Sequence, residues 1–295
     1  MQRSSLDVVG PPAKGFRSTR WVRHRPQRRC CRVLRDPRSG ARQALMRRVD
    51  VGGFELRVDV QGSGPQTFLC LHGLVDRLEI WDALAEPLAE RGRMVRIDQR
   101  GHGESDAPEG PYTREDLAND VIRVLDALEI DRAILVAHSM GGVIAMTAAL
   151  EDPGRVAGLL LIGTTGRCNE KVASWYDRIA RAGETDGIDG LRKAIYGEKS
   201  GKSIVGDAQG IAHVTRTLAS LYSDPLSEKL NGLVCPTLLL VGEKDPMGPR
   251  ASEILAERIG DARLRVVPEC GHWVHVDAAQ EVLEDLDPWL KDMTT

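Results

Sequence analysis

Short apolar segments alternate along the chain with longer segments whose apolar residues recur at helical spacing. A strand buried on both faces of a sheet is a nearly continuous apolar run, whereas a helix packed on a sheet is apolar on one side only. Six runs are predicted strands, at residues 67–73, 94–97, 132–136, 156–162, 236–242 and 263–267. An alternating segment at about 49–62 predicts a β-hairpin. Its two strands bring the number of predicted strands to eight. The pattern predicts an α/β protein with a mostly parallel sheet and helices on both faces.

The most regular predicted helix covers residues 112–128. Thr113 is its predicted N-cap, and Asp116 follows three residues later. Five apolar residues of this helix share one face and are predicted to point into the core: Leu117, Val121, Val124, Leu125 and Leu128.

A long segment separates the strand at 156–162 from the strand at 236–242. It is mostly helical in pattern and too long for an ordinary connection. We interpret residues 165–231 as a helical cap inserted after the sixth strand. The main domain then consists of residues 46–164 and 232–295. Aromatic residues of the cap, such as Trp175 and Tyr176, are expected to pack it onto the main domain or to line a pocket.

Charge is distributed unevenly along the chain. The formal net charge is only -3, but residues 1–45 are crowded with arginine and contain only Asp7 and Asp36 as acids. This basic segment lacks apolar periodicity and contains four prolines, which predicts disorder. Three hypotheses compete for it: an arm that binds nucleic acid or an anionic membrane, an arginine-rich targeting sequence, or non-native sequence upstream of a start at Met46. We favour the third, because Met46 leads directly into the predicted hairpin.

Composition is that of a globular enzyme. Hydrophobic residues make up 42% of the chain, enough for a large core, and no apolar run reaches the roughly 18 residues that span a membrane. The six cysteines show no metal-ligand spacing, and Cys70 and Cys235 lie in or beside predicted buried strands. We therefore expect reduced thiols in a cytoplasmic protein that does not bind membranes. No phosphate-binding loop or metal cluster is recognisable, so no cofactor is expected.

The segment from Val136 to Gly142 places one serine, Ser139, between a predicted strand and an alanine-rich predicted helix. A sharp turn there needs small neighbours, because backbone crowding otherwise blocks the strained conformation that exposes the hydroxyl. Gly141 and Gly142 provide them, and Ala137 takes the place of the first glycine of the G-x-S-x-G pattern. Ser139 is the predicted nucleophile.

The acid and the base of a charge relay are expected later in the chain, in that order. Asp245 lies on the loop after the strand at 236–242, and His272 lies on the loop after the strand at 263–267. A serine hydroxyl needs an imidazole to take its proton, and the imidazole needs a carboxylate to fix its tautomer. We therefore predict Asp245 as the acid and His272 as the base.

Two backbone N–H groups are expected to hold the negative charge of a tetrahedral intermediate. Met140 follows the nucleophile at the start of a helix, whose dipole favours an anion there. Leu74 is the second predicted donor, because it follows a short apolar strand that ends in His72 and Gly73. The glycine allows the backbone to turn the Leu74 amide towards the site.

The segment from Asp98 to Asp106 is similar to the D-x-R-G-x-G-x-S segment of the α/β hydrolases. Together with the serine turn and the His72-Gly73 pair, it makes the chain resemble the capped esterases, lactonases and epoxide hydrolases of that superfamily over about residues 46–295. The resemblance implies the α/β-hydrolase fold. Within the segment, hydrogen bonds of Asp98, Arg100 and Ser105 are expected to tie the loop together, which is a structural role.

Epoxide hydrolases and haloalkane dehalogenases carry an aspartate where this chain has Ser139. The chain looks most like the enol-lactonase and small carboxylesterase group, which implies a serine hydrolase that cleaves a small ester or lactone through an acyl-enzyme. Carbon–carbon bond hydrolase, monoacylglycerol lipase and cofactor-free perhydrolase activities stay open on the same triad. A slow-turnover ligand-sensing module is the alternative of another class. The expected partner is a small molecule, and no nucleic acid is expected to bind the core.

Overall fold

The computed structural model describes residues 45–293, and the predictions for the basic segment fall outside this range, apart from Leu45. The strands are β1 (Leu45–Asp50), β2 (Glu55–Gly62), β3 (Thr67–Leu71), β4 (Arg93–Ile97), β5 (Ala133–His138), β6 (Val156–Ile162), β7 (Thr237–Gly242) and β8 (Ala262–Val267). The α-helices are α1 (Asp82–Arg91), α2 (Arg114–Ala127), α3 (Met140–Glu151), α4 (Glu170–Tyr196), α5 (Ala208–Ala219), α6 (Pro249–Arg258), α7 (Val274–Asp277) and α8 (Ala279–Met293).

All eight strands form one sheet in the order β1-β2-β4-β3-β5-β6-β7-β8. β2 is antiparallel to both of its neighbours, and from β4 to β8 every pairing is parallel. The prediction of a mostly parallel eight-stranded sheet is confirmed. Because parallel strands end at the same edge, the loops after β3, β5, β7 and β8 emerge together.

The strand residues alternate between two apolar layers, one on each face of the sheet. Leu69, Leu135 and Leu159 pack with α2, α3 and α6, whereas their neighbours Phe68 and Ile134 pack with α1 and α8 on the opposite face. This period of two within a continuous apolar run is what a strand buried on both faces requires. The core residues and the two helix layers hold the strand ends in fixed positions.

Helix α2 begins with a capping box. The Thr113 side chain accepts a hydrogen bond from the Asp116 N–H, and the Asp116 side chain accepts one from the Thr113 N–H. Because Thr113 itself is extended, the helix begins at Arg114, two residues later than the pattern predicts. The five residues predicted to face the core are all buried.

Helices α4 and α5 lie in the segment between β6 and β7, here called the inserted segment (residues 165–231). α4 contains a kink at Gly187, whose φ of 66° lies outside the helical region. Four residues of the inserted segment form an apolar cluster with Val75, which lies on the loop after β3: Ile179, Leu191, Ile204 and Ile211. The segment thus contacts the edge of the sheet where the loops emerge. Among residues 45–293, none of the helices is both long and apolar enough to cross a membrane.

Candidate active site

Ser139 occupies the turn between β5 and α3 with a strained backbone. Its φ of 51° and ψ of -114° lie in a region that residues with a side chain rarely adopt. Two hydrogen bonds stabilise this conformation: the Ser139 N–H donates to the Ile162 carbonyl at 2.9 Å, and Thr164 Oγ1 donates to the Ser139 carbonyl at 2.6 Å. The neighbouring strand β6 therefore fixes the position of the serine.

The two glycines after Ser139 are needed because the backbone passes close to other atoms. A Cβ atom on Gly141 would lie 2.2 Å from the Leu71 carbonyl oxygen, and one on Gly142 would lie 2.5 Å from Thr164 Oγ1. Both distances are far below van der Waals contact. The glycines thus let α3 pack directly against the ends of β3 and β6.

Asp245 and His272 form a carboxylate–imidazole pair on the loops after β7 and β8. His272 Nδ1 lies 2.8 Å from Asp245 Oδ2, and Asp245 Oδ1 accepts a hydrogen bond from the Met247 N–H at 2.8 Å. Because a carboxylate can only accept, the proton of the neutral imidazole lies on Nδ1. Nε2 of His272 is then free to accept a proton from a third group.

Ser139, Asp245 and His272 line one cavity of about 660 Å³. Leu74, the predicted oxyanion donor after β3, lies in the same wall. Met140, the other predicted donor, is the first residue of α3, so its N–H has no intrahelical acceptor. The remaining wall is largely apolar and includes Trp175, Tyr176, Ile195 and Tyr196 of the inserted segment and Ile254 of α6.

The loop similar to the D-x-R-G-x-G-x-S segment is held together around Asp98. Its carboxylate accepts hydrogen bonds from the N–H groups of Leu78 at 2.7 Å and Glu104 at 2.9 Å, and Ser105 Oγ donates to the Asp98 carbonyl at 2.5 Å. His102 is buried in this loop, outside the wall of the cavity, and burial lowers its pKa to about 3. These contacts support the structural role expected for the loop.

Sequence reasoning missed a second group of polar side chains at the floor of the cavity. His138, which is 1% exposed, packs its ring 4.6 Å from the ring of His272 and 4.4 Å from the ring of His275. Asp76 lies on the loop after β3, with Oδ2 at 3.7 Å from His138 Nδ1. His138 lies within the serine motif, next to Ser139. The sequence gives no indication that Asp76, His272 and His275 lie close to it.

Burial dominates the electrostatics of this floor. It lowers the pKa of His138, opposed by the nearby Asp76 carboxylate, and it lowers the pKa of His275 well below the usual value. Burial raises the pKa of Asp76, but the neighbouring side chains of His138, His72 and Trp273 outweigh it, so that the pKa of Asp76 is below its ordinary value. The Asp76 carboxylate is therefore ionised at neutral pH.

The charges on the cavity wall are unevenly compensated. The two carboxylates, Asp76 and Asp245, face imidazoles, and Arg250 pairs with Glu253 and Glu257 on its own helix. Arg167 is exposed on the wall and has no ion pair with any residue in the described part of the chain. The same part contains no group of three or more His, Cys, Asp or Glu residues arranged to hold a metal ion.

This sheet order, with a serine at the turn after β5 and a carboxylate–histidine pair after β7 and β8, defines the α/β-hydrolase class of proteins. Residues 68–285 match the alpha/beta hydrolase family, and the chain belongs to that family.

Among curated proteins, the chain is similar to 2-(acetamidomethylene)succinate hydrolase from Mesorhizobium japonicum, with 30% identity over 251 residues, 78% of this chain and 90% of that protein. Among solved structures, it is similar to a thermophilic esterase from Thermogutta terrifontis, with a TM-score of 0.75 and 26% identity, covering 85% of this chain and 100% of that one. It is also similar to the enol-lactonase from Burkholderia xenovorans LB400, with a TM-score of 0.74 and 26% identity, covering 83% and 100%. These relatives are hydrolases, which supports a hydrolase as the broad class of this enzyme.

Proposed function

We propose that the protein is a serine hydrolase that cleaves a small carboxylic ester or lactone through an acyl-enzyme. The observation that carries the proposal is the 2.8 Å contact between His272 Nδ1 and Asp245 Oδ2 in the cavity that Ser139 also lines. An imidazole with a fixed tautomer that lines the same cavity as a strained serine is the arrangement expected to activate a hydroxyl.

In the proposed reaction, Ser139 Oγ attacks the carbonyl carbon while His272 Nε2 takes the hydroxyl proton. The N–H groups of Leu74 and Met140 stabilise the resulting oxyanion. Collapse of the intermediate breaks the bond to the leaving oxygen, which receives the proton from His272, and leaves an acyl group on Ser139. Water then attacks this ester, giving its proton to His272, and the second collapse releases the acid and returns the proton to Ser139.

We further propose that the inserted segment acts as a cap that selects the substrate. It contributes most of the aromatic residues of the wall, including Trp175, Tyr176 and Tyr196. Burial raises the pKa of Tyr176 and of Tyr196 to about 12, so both phenols are neutral and the wall above the serine is uncharged there. A mostly apolar cavity of about 660 Å³ suits a compact acyl group better than a long chain.

Arg167 adds a charge preference to this apolar wall. An uncompensated guanidinium beside the cavity attracts a substrate carboxylate and can bind it with two parallel hydrogen bonds. The similarity to a succinate-derivative hydrolase supports the same preference. We therefore propose an ester or lactone with a carboxylate group as the preferred substrate.

A panel of acyl esters and lactones, neutral and carboxylate-bearing, tests the proposed function. We expect multiple turnovers on short esters or lactones by the parent protein and none above background by Ser139→Ala. A burst of one equivalent followed by very slow release would favour the ligand-sensing module. Cleavage of a carbon–carbon bond in a vinylogous diketone, without ester cleavage, would favour the carbon–carbon hydrolase.

A further inference from the structure

His138 makes a direct contact with the backbone of the proposed catalytic base. Its Nε2 lies 3.1 Å from the main-chain carbonyl oxygen of His272. A carbonyl oxygen can only accept, so the hydrogen bond requires a proton on Nε2 of His138. His138, which precedes the proposed nucleophile Ser139, therefore hydrogen-bonds to the main chain of the proposed base, His272.

The other edge of the His138 ring faces Asp76. Nδ1 has no hydrogen-bond partner within the described residues, and its nearest charged neighbour is Asp76 Oδ2 at 3.7 Å. Acceptors thus flank both ring nitrogens. The single proton of the neutral ring lies on Nε2, which faces the nearer acceptor, the His272 carbonyl. A second proton, on Nδ1, would face the Asp76 carboxylate.

Asp76 also lies near the loop that carries His272 at a second point. The side chain of Trp273, the residue after His272, is one of the groups that lower the pKa of the Asp76 carboxyl group. The loop after β3 is shaped to bring these groups together: a Cβ on Gly73 would lie 2.8 Å from His138 Nδ1 and 3.0 Å from Asp76 Oδ2. Any larger residue at position 73 would occupy the space in which the two side chains meet.

We infer that His138 is a positioning residue that fixes the orientation of His272. The Nε2–H of His138 holds the main chain of His272. This inference rests on the proposed function, since it assigns His138 to the same reaction.

Four variants test the inference with the best ester of the panel. His138→Phe keeps a ring but removes the donor, His138→Met removes both ring and donor at similar volume, and His138→Gln keeps a donor near the position of Nε2. His275→Phe is the matched control, because the His275 ring also packs on His138 but neither of its nitrogens has a hydrogen-bond partner in the described structure.

We expect kcat to fall at least tenfold in His138→Phe and His138→Met with KM within about threefold, and to stay within about threefold of the parent in His138→Gln and His275→Phe.

A folded His138→Phe protein with the kcat of the parent would overturn the inference. If His138→Phe does not fold, His138→Met decides: an unchanged kcat in that variant overturns it equally. Labelling of Ser139 by a fluorophosphonate is recorded for every variant. Persistent labelling with unchanged kinetics refutes only the positioning role, whereas labelling elsewhere in the parent refutes the proposed function itself.

Discussion

Nδ1 of His272 lies 2.8 Å from Oδ2 of Asp245, although the two residues are 27 positions apart in the chain. Asp245→Asn replaces an acceptor with a group that can donate, so the imidazole is driven towards the tautomer with its proton on the wrong nitrogen. We expect kcat on a short ester to fall about 100- to 10,000-fold, with KM within about threefold. An Asn variant that keeps the kcat of the parent would show that Asp245 does not orient the base.

Ser139 and His272 should behave as one unit. In the proposed mechanism the imidazole acts on the serine hydroxyl, so removal of either group should abolish the same step. Ser139→Ala and His272→Ala should each reduce kcat/KM about as much as the double variant does. Losses that multiply in the double variant would mean that the two residues act independently.

The sequence predicted much of this site because its parts are local. Ser139 is marked by the small residues of its own turn, and Asp245 and His272 each stand just after a recognisable apolar strand. A parallel sheet brings the ends of such strands to one edge, so position in the chain translates into proximity. The fold was predictable for the same reason.

Gly141 should tolerate no side chain. A Cβ there would meet the Leu71 carbonyl oxygen at 2.2 Å, and backbone atoms cannot move aside as a flexible side chain can. Gly141→Ala should lower the free energy of unfolding by about 1–3 kcal/mol in urea titrations. Gly154→Ala is the control, since its nearest atom would be Asp152 Oδ1 at 3.6 Å, and its stability should match the parent. Equal stability of both variants would argue against the close packing of α3.

Acid should destabilise the protein between about pH 6.5 and pH 4. Burial lowers the pKa of His72 to about 4 and that of His102 to about 3, so below the pKa of an unfolded histidine, about 6.5, the unfolded chain binds more protons than the folded one. Each group then removes about 1.4 kcal/mol per pH unit as the pH falls. The His72 Nε2 accepts the Gln99 N–H at 3.0 Å, which protonation would break.

Urea titrations across this pH range measure the effect. The free energy of unfolding should fall by up to about 3 kcal/mol per pH unit in the middle of this range for the two histidines together, and His102→Gln should reduce the slope by about half of that. A free energy of unfolding that is constant from pH 6.5 to pH 4 would contradict the neutral, buried state of these side chains.

Arg167 should discriminate between neutral and anionic esters. Arg167→Gln should reduce kcat/KM for mono-p-nitrophenyl succinate about tenfold more than for p-nitrophenyl butyrate, because only the first offers a carboxylate to the guanidinium. Arg178→Gln is the control, because Arg178 is an exposed residue of α4 outside the cavity wall. It should change neither kcat/KM for either ester nor the ratio of the two kcat/KM values. Equal effects on both esters would contradict the proposal that the preferred substrate carries a carboxylate group.

His138, Asp76 and the exact composition of the cavity wall could not be predicted from the sequence. The contact between His138 and the His272 carbonyl joins residues 134 positions apart, and it depends on how closely the loops after β3, β5 and β8 approach each other. Side-chain periodicity reports which face of an element is buried but not which loops meet. The last helical region shows the same limit, because a break at Ala278 separates α7 from α8 and side-chain periodicity does not reveal it.

The central claim is that Ser139 is the nucleophile. The most direct test is intact-protein mass spectrometry after treatment with a fluorophosphonate, followed by peptide mapping, on the parent and on Ser139→Ala, with ester turnover measured in parallel. The parent should gain one adduct on the peptide that contains Ser139 and lose its turnover, while folded Ser139→Ala should gain none and show no turnover above background. An adduct on another residue, or Ser139→Ala hydrolysing esters at a rate comparable to the parent, would contradict the account.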